Sequence, residues 1–301
     1  MESIFISCLI ITAQRGFHKE VKPFIALCRE IWYDKQLWAA IKDTQFGSMK
    51  RTHVMYAAKT GNIARLRWLL ARGAQLNQKD LFDKNALAHA CEFGQLDMIL
   101  ELIRSGITIN TGGLFSPLYE ACSKGHLSVV RMLLENGAIV SDFGILHTAC
   151  MNGYVEVVSE LLAYDAHLVT KDRDEYRETP LHIAINMGHL EVVRELVTRG
   201  AFLNDDNWHN ETPICIASWG GNLEMVQLLI SAGAHININP SPLFFACRQG
   251  HLNIVQELLM HGANVNLGFI DHLEDRTPLK IAKKYHLYEI ETLLLNNGAT
   301  N

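Results

Sequence analysis

The chain lacks a basic excess, a long apolar run and any closely spaced pair of cysteines. Lys and Arg number 27 against 32 Asp and Glu, a net charge of -5. That balance argues against a dedicated DNA or RNA binder, which needs a basic face. The longest apolar stretch, near Ile4 to Ile11, falls short of the roughly 20 residues a membrane helix requires. It also makes a poor signal peptide, because Glu2 stands in the place of a positive n-region and no small-x-small cleavage site follows. The seven cysteines are odd in number and contain no C-x-x-C pair, which fits a reducing compartment better than a disulfide scaffold. The expected setting is the cytoplasm, with the nucleus as an alternative. G-x-x-x-x-G-K, G-x-G-x-x-G and G-x-S-x-G are all missing, and with them the usual phosphate cradles and nucleophile elbow. No nucleophile, base and oxyanion donor assemble, so no catalytic residue, cofactor or metal is expected.

What is present is a repeat. Thr179-Pro180-Leu181-His182-Ile183-Ala184 is followed by Gly188-His189-Leu190, Val192-Val193, Leu196, Gly200-Ala201 and Asn204. The same order returns from Thr212, 33 residues on. Eight anchors align: Thr52, Asn85, Ser116, Gly144, Thr179, Thr212, Ser241 and Thr277, at offsets of 33, 31, 28, 35, 33, 29 and 36. After each anchor comes a short apolar helix with an alanine at the fifth position. A second helix then carries an apolar face such as Val129, Val130, Leu133 and Leu134, spaced by threes and fours. Glycines close both helices in most units, because glycine takes the left-handed conformation without steric penalty. The last unit departs, with His286 in place of the glycine that ends the first helix.

The 33-residue period and the T-P-L-H-x-A core resemble the ankyrin-repeat family, over about residues 48 to 299. The resemblance implies an all-α solenoid of about eight helix-turn-helix repeats with β-hairpin-like loops, residues 48–301, behind a helical N-terminal cap, residues 1–47. No single repeat buries its own apolar face, so stability comes from stacking. The resemblance also implies that His126, His189 and His251, after the glycine, and His147 and His182, in the T-P-L-H slot, bond to backbone between repeats. Cys91, Cys122, Cys150 and Cys247 share the sixth position after the anchor. There a small buried hydrophobe is expected, and a spacing of roughly 10 Å between neighbouring repeats is too wide for a shared zinc.

In the ankyrin family, ligands meet the hairpin tips and the inner helix, which correspond to the positions four, three and one before the anchor and seven and eight after it. Of these forty positions 20% are aromatic, against 8% of the chain. A solvated face is ordinarily depleted in large apolar groups, so this enrichment marks a binding surface. The expected partner-binding residues are Phe82, Phe93, Phe143, Met151, Tyr176, Met187, Trp208, Trp219, Arg248 and Tyr285. Phe115 and Phe143 follow shortened loops, where internal packing is the competing reading. Charges flank the row: Lys59, Lys124, Arg248 and Lys284 on the inner helices, Glu175, Glu178 and Glu211 at the tips. The complement is a protein of mixed charge, identity unknown, bound by a monomeric, non-catalytic scaffold. Nucleic acid and membrane are not expected as partners. Asn77, Asn204, Asn237 and Asn266 lie at hairpin turns eight residues after a leucine. In this family such asparagines can be hydroxylated, which would make the chain a substrate.

Residues 27–38, with Cys28-Arg29 ahead of Trp32 and Leu37-Trp38, resemble the tail of an F-box, without the L-P-x-E opening. That resemblance implies docking to a Skp-type adaptor through residues 1–47 and substrate presentation to a cullin ubiquitin ligase. The cap and the docking segment stand as alternatives for this stretch.

Overall fold

A computed structural model describes residues 43–45, 47–111, 115–140, 144–165, 167, 174, 176–271 and 274–300, with backbone alone at 270–271 and 274–276. The chain divides into two compact units, Met1–Ala138 and Ile139–Asn301. Each is a stack of helix pairs, the ankyrin-repeat solenoid architecture.

The first unit has three described pairs. They are α1 (His53–Lys59) with α2 (Ile63–Ala71), α3 (Ala86–Glu92) with α4 (Leu96–Arg104), and α5 (Pro117–Ser123) with α6 (Leu127–Glu135). The second has five. They are α7 (Ile145–Met151) with α8 (Val155–Tyr164), α9 (Pro180–Asn186) with α10 (Leu190–Thr198), α11 (Pro213–Gly220) with α12 (Leu223–Ser231), α13 (Pro242–Gln249) with α14 (Leu252–Met260), and α15 (Pro278–Lys284) with α16 (Tyr288–Asn296). One antiparallel hairpin, β1 (Phe269–Asp271) with β2 (Glu274–Arg276), precedes α15 and pairs Phe269 with Arg276.

The anchors are helix caps. The Met55 and Tyr119 amides donate to the hydroxyls of Thr52 and Ser116, and the Ala88 amide to Asn85 Oδ1. Each cap satisfies one of the amides a helix start leaves unpaired. Proline at the first helical position of α5, α9, α11, α13 and α15 forgoes an amide that had no partner. The repeated alanine has no more than 1% of its surface exposed in any repeat, so successive inner helices sit directly against one another. In the first unit α1 packs on α3 and α3 on α5. In the second the contacts run α7–α9–α11–α13–α15, with the outer helices α8–α10–α12–α14–α16 following. The outer helices bury Val129, Val130, Leu133 and Leu134 in α6 and their equivalents elsewhere. His286 takes φ 55°, the left-handed conformation its glycine counterparts hold, so the turn survives the substitution.

Two kinds of polar rung join neighbouring repeats. Asparagines reach forward: the amides of Thr108, His235, Asn264 and Thr300 donate to Oδ1 of Asn77, Asn204, Asn237 and Asn266. Asp43 does the same for the Gln75 amide. Histidines reach back: Nε2 of His189 lies 3.0 Å from the Met151 carbonyl and that of His251 3.1 Å from the Trp219 carbonyl. His126 makes the corresponding contact, 3.4 Å, with the Glu92 carbonyl. In the T-P-L-H slot, His147 Nε2 is 2.9 Å from the Glu178 carbonyl and His182 Nε2 3.2 Å from that of Glu211. The Thr179 amide donates to His182 Nδ1, which leaves Nε2 as the protonated nitrogen. The five histidines thus do what the family resemblance implies.

Candidate functional site

Three hairpin tips share one construction. At the first, the Phe82 and Lys84 amides both donate to Asp80 Oδ1, and the Asp80 amide donates to the Lys84 carbonyl. At the second, Asp174 Oδ1 accepts from Tyr176 and Glu178; at the third, Asn207 Oδ1 accepts from His209 and Glu211. An Asp or Asn folds the chain onto its own side chain. The residue that then needs positive φ is Asp83 (59°), Arg177 (59°) or Asn210 (57°). Each acceptor stands five residues before its anchor, in three of the four units with offsets of 33 or more; the fourth, anchored at Thr277, has His272 there. The shorter loops, at offsets of 31, 28 and 29, have Thr111, Ile139 and Ile236 there.

In the second unit this turn holds two aromatics outward. Tyr176 is 56% and Trp208 65% exposed, and their rings meet edge to face at 6.2 Å. The Trp208 amide donates to the Tyr176 carbonyl, tying one tip to the next, and Arg177 Nη2 lies 3.0 Å from Asp206 Oδ1 across the same step. Burial and the neighbouring Asp174 push the Glu178 carboxyl above its ordinary range. At the inner-helix ends, Trp219 packs edge to face on Phe245 at 5.9 Å, and the Arg248 guanidinium sits 5.0 Å over the Trp219 ring. Phe245 continues through Phe244 to Phe269, so Trp219 rests on a firm aromatic floor. Met151, Met187 and Tyr285 are exposed along the same row, Tyr285 beneath Lys284 Nζ at 6.0 Å.

In the first unit Phe82 and Phe93 are also exposed. Lys59 Nζ lies 5.1 Å over the Phe93 ring. Phe115 is half-buried, wedged at 5.8 Å between Phe82 and Tyr119 with Lys84 Nζ 5.0 Å above it, so it is internal packing. Phe143 lies outside the described residues, as do residues 27–38.

Beneath the Phe82 tip runs a cluster that no motif signals. The Asp80 carboxylate is buried, with Oδ2 3.0 Å from His89 Nε2 and 3.8 Å from Arg51 Nε. Lys84 Nζ bridges Glu120 at 2.7 Å and Glu92 at 3.3 Å. Burial lowers the His89 pKa, with Asp80 opposing the shift. The Lys84 bridges to Glu92 and Glu120 and the His89–Asp80 contact brace the tip.

The cysteines at the sixth position are free and wholly buried. Burial pushes the thiols of Cys91, Cys122 and Cys247 up, to about 12 at Cys247, and it raises Cys215, three residues after its anchor, to about 11, so the nucleophilic thiolate is suppressed. Among the described residues no group of three or more His, Cys, Asp or Glu is gathered to hold a metal ion. Among them, too, no helix is long and apolar enough to cross a membrane.

The chain belongs to the ankyrin-repeat family: the model for ankyrin repeats in three copies matches residues 9–112, 54–144, 109–172, 146–240 and 238–301. A crystal structure of the human ASB11 ankyrin repeat domain superposes with a TM-score of 0.62 at 25% identity, covering 71% of this chain and 99% of that one. The "Probable E3 ubiquitin-protein ligase XBOS33" of Oryza sativa is 39% identical over 107 residues, 33% of this chain and 20% of that protein. The "E3 ubiquitin-protein ligase XBAT33" of Arabidopsis thaliana is 41% identical over 88 residues, 28% of this chain and 17% of that protein. The chain thus spans about a fifth of the length of these relatives. Its fold is that of non-catalytic protein-interaction scaffolds and adaptors.

Proposed function

We propose that the chain is a protein-recognition module of a reducing, cytoplasmic setting, acting as a monomer. Its partner binds on the tips and inner-helix ends, centred in the second unit on Tyr176, Trp208 and Trp219. The observation that supports this most is the outward Tyr176–Trp208 pair on a turn built to hold it. Preformed aromatic surface loses little entropy on binding, so its burial yields net affinity. Phe82 and Phe93 extend the reading to the first unit, and Phe143 joins it by alignment alone. The five buried free thiols support the reducing setting.

Trp208→Ala combined with Trp219→Ala is expected to weaken the partner by about 2 kcal/mol or more, with thermal unfolding near wild type. Affinity capture with the wild-type chain, identification by mass spectrometry and titration of both proteins tests this. Partners that bind the double variant equally well would remove the site.

The second reading is a substrate adaptor of a cullin ubiquitin ligase, docked to a Skp-type protein through residues 1–47. The names of the two plant relatives favour a link with ubiquitin ligases. Against the F-box-like form, the family match begins at residue 9, and Asp43 serves Gln75 as Asn77 serves Thr108, which fits a cap continuous with the repeats. Co-purification with a Skp-type protein, lost on deleting residues 1–47, would favour the adaptor.

A further inference from the structure

We infer that the inner-helix ends of the second unit receive an extended acidic segment of the partner protein, a refinement that rests on the reading above. The observation is a one-signed row. The positions seven and eight after the five anchors hold Met151 and Asn152, Asn186 and Met187, Trp219 and Gly220, Arg248 and Gln249, and Lys284 and Tyr285. None is a carboxylate. The two cations fall on consecutive repeats at one end, and the apolar groups precede them. Among the described residues neither Arg248 nor Lys284 has a carboxylate within ion-pair distance; each lies over an aromatic ring instead.

A guanidinium laid on an indole keeps its N–H edge free, and that edge matches a carboxylate bidentately. The ring beneath fixes the side chain, so less rotamer entropy is lost when the anion arrives. The acids of this unit's tips lie on the loops ahead of the inner helices and not on the row itself: Glu178 and Glu211 precede α9 and α11, Asp206 is already paired with Arg177, and Asp271, Glu274 and Asp275 belong to the β1–β2 hairpin before α15. The row is therefore polarised, apolar over α9 and α11 and cationic over α13 and α15.

The spacing sets the register of the visitor. Neighbouring helices stand roughly 10 Å apart, and an extended chain covers that distance in about three residues. A segment running along the row places one apolar residue on Trp219 and carboxylates about three and six positions further on, against Arg248 and Lys284.

The test is selection of a phage-displayed random peptide library on the full chain. Enriched peptides should carry an apolar residue followed by Asp or Glu at about three-residue steps. Arg248→Glu with Lys284→Glu should weaken them about tenfold, and peptides with those acids replaced by lysine should bind the reversed variant better than the wild type. Arg248→Ala with Lys284→Ala, checked for an unchanged melting curve, guards against misfolding. Enrichment of neutral or basic peptides that depend on Trp219 would overturn the acidic partner and leave the binding surface standing. Peptides indifferent to Trp208, Trp219 and Arg248, or no enrichment at all, would count against both.

Discussion

Asn207 offers the sharpest test of how the tips are held. Its side chain is almost wholly buried, and Oδ1 accepts from the His209 amide at 2.9 Å and the Glu211 amide at 3.0 Å. Asn207→Ala deletes the one oxygen that accepts both bonds while the backbone bond from the Asn207 amide to the Glu211 carbonyl, 3.1 Å, remains. Each lost bond is worth about 0.5–1.5 kcal/mol net, so the tip should lose about 2 kcal/mol. An energy of that size corresponds to about a thirtyfold change in a local opening equilibrium. Native-state hydrogen exchange reads it directly: the His209 and Glu211 amides should exchange about thirtyfold faster, and the amides of α16 should be unaffected. The equivalent residues Asp80 and Asp174 are carboxylates making the same two bonds. Asn207→Asp keeps the accepting oxygen and should lose much less than the alanine variant, although it sets a carboxylate where the amide bonds Glu178. Equal damage from both substitutions, or no change in the alanine variant, would refute the argument that this side chain shapes the turn.

Leu133 is fully buried in α6, and Leu133→Ala should cost about 2–5 kcal/mol in urea unfolding; a loss no larger than that of a surface variant would contradict the stacked core. Burial, with the Arg65 charge adding to it, lowers the His53 pKa from 6.5 to about 4. The unfolded chain then binds the proton first, so this contribution is complete above pH 6.5 and declines as pH falls toward 4. His53→Gln should flatten that part of the stability profile. His286 bears a side chain at φ 55°, and His286→Gly should raise stability by up to about 1 kcal/mol in the same unfolding assay.

The repeat was legible because its signals are local and recur: caps, the packing alanine, and the glycines and histidines that close the inner helices. The fate of His286 was less so, since a sequence shows the missing glycine and not whether histidine adopts its conformation. The Asx turns carry a weaker sequence signal, an Asp or Asn five residues before the anchor in three of the four units with offsets of 33 or more, the fourth having His272 there. Asp80 and Asp174 alternate with Asn207, so the shared chemistry is split between two letters. The cluster of Arg51, Asp80, Lys84, His89, Glu92 and Glu120 draws on three repeats and on positions the motif leaves variable. Only stacking brings them together. Composition at aligned positions marks the aromatic row but does not separate its members: Phe115 is half-buried between Phe82 and Tyr119, whereas Tyr176, Trp208 and Trp219 are exposed.

The forward-reaching asparagines and backward-reaching histidines bear on how such arrays grow. In the second unit the repeats anchored at Thr179 and Ser241 each hold half of two joints and complete neither alone. Removing the whole repeat between them, anchored at Thr212, sets Asn204 against a new amide and His251 against a new carbonyl. Removing half of one strands both. Changes in length by whole multiples of the period thereby keep these couplings, and partial duplications break them.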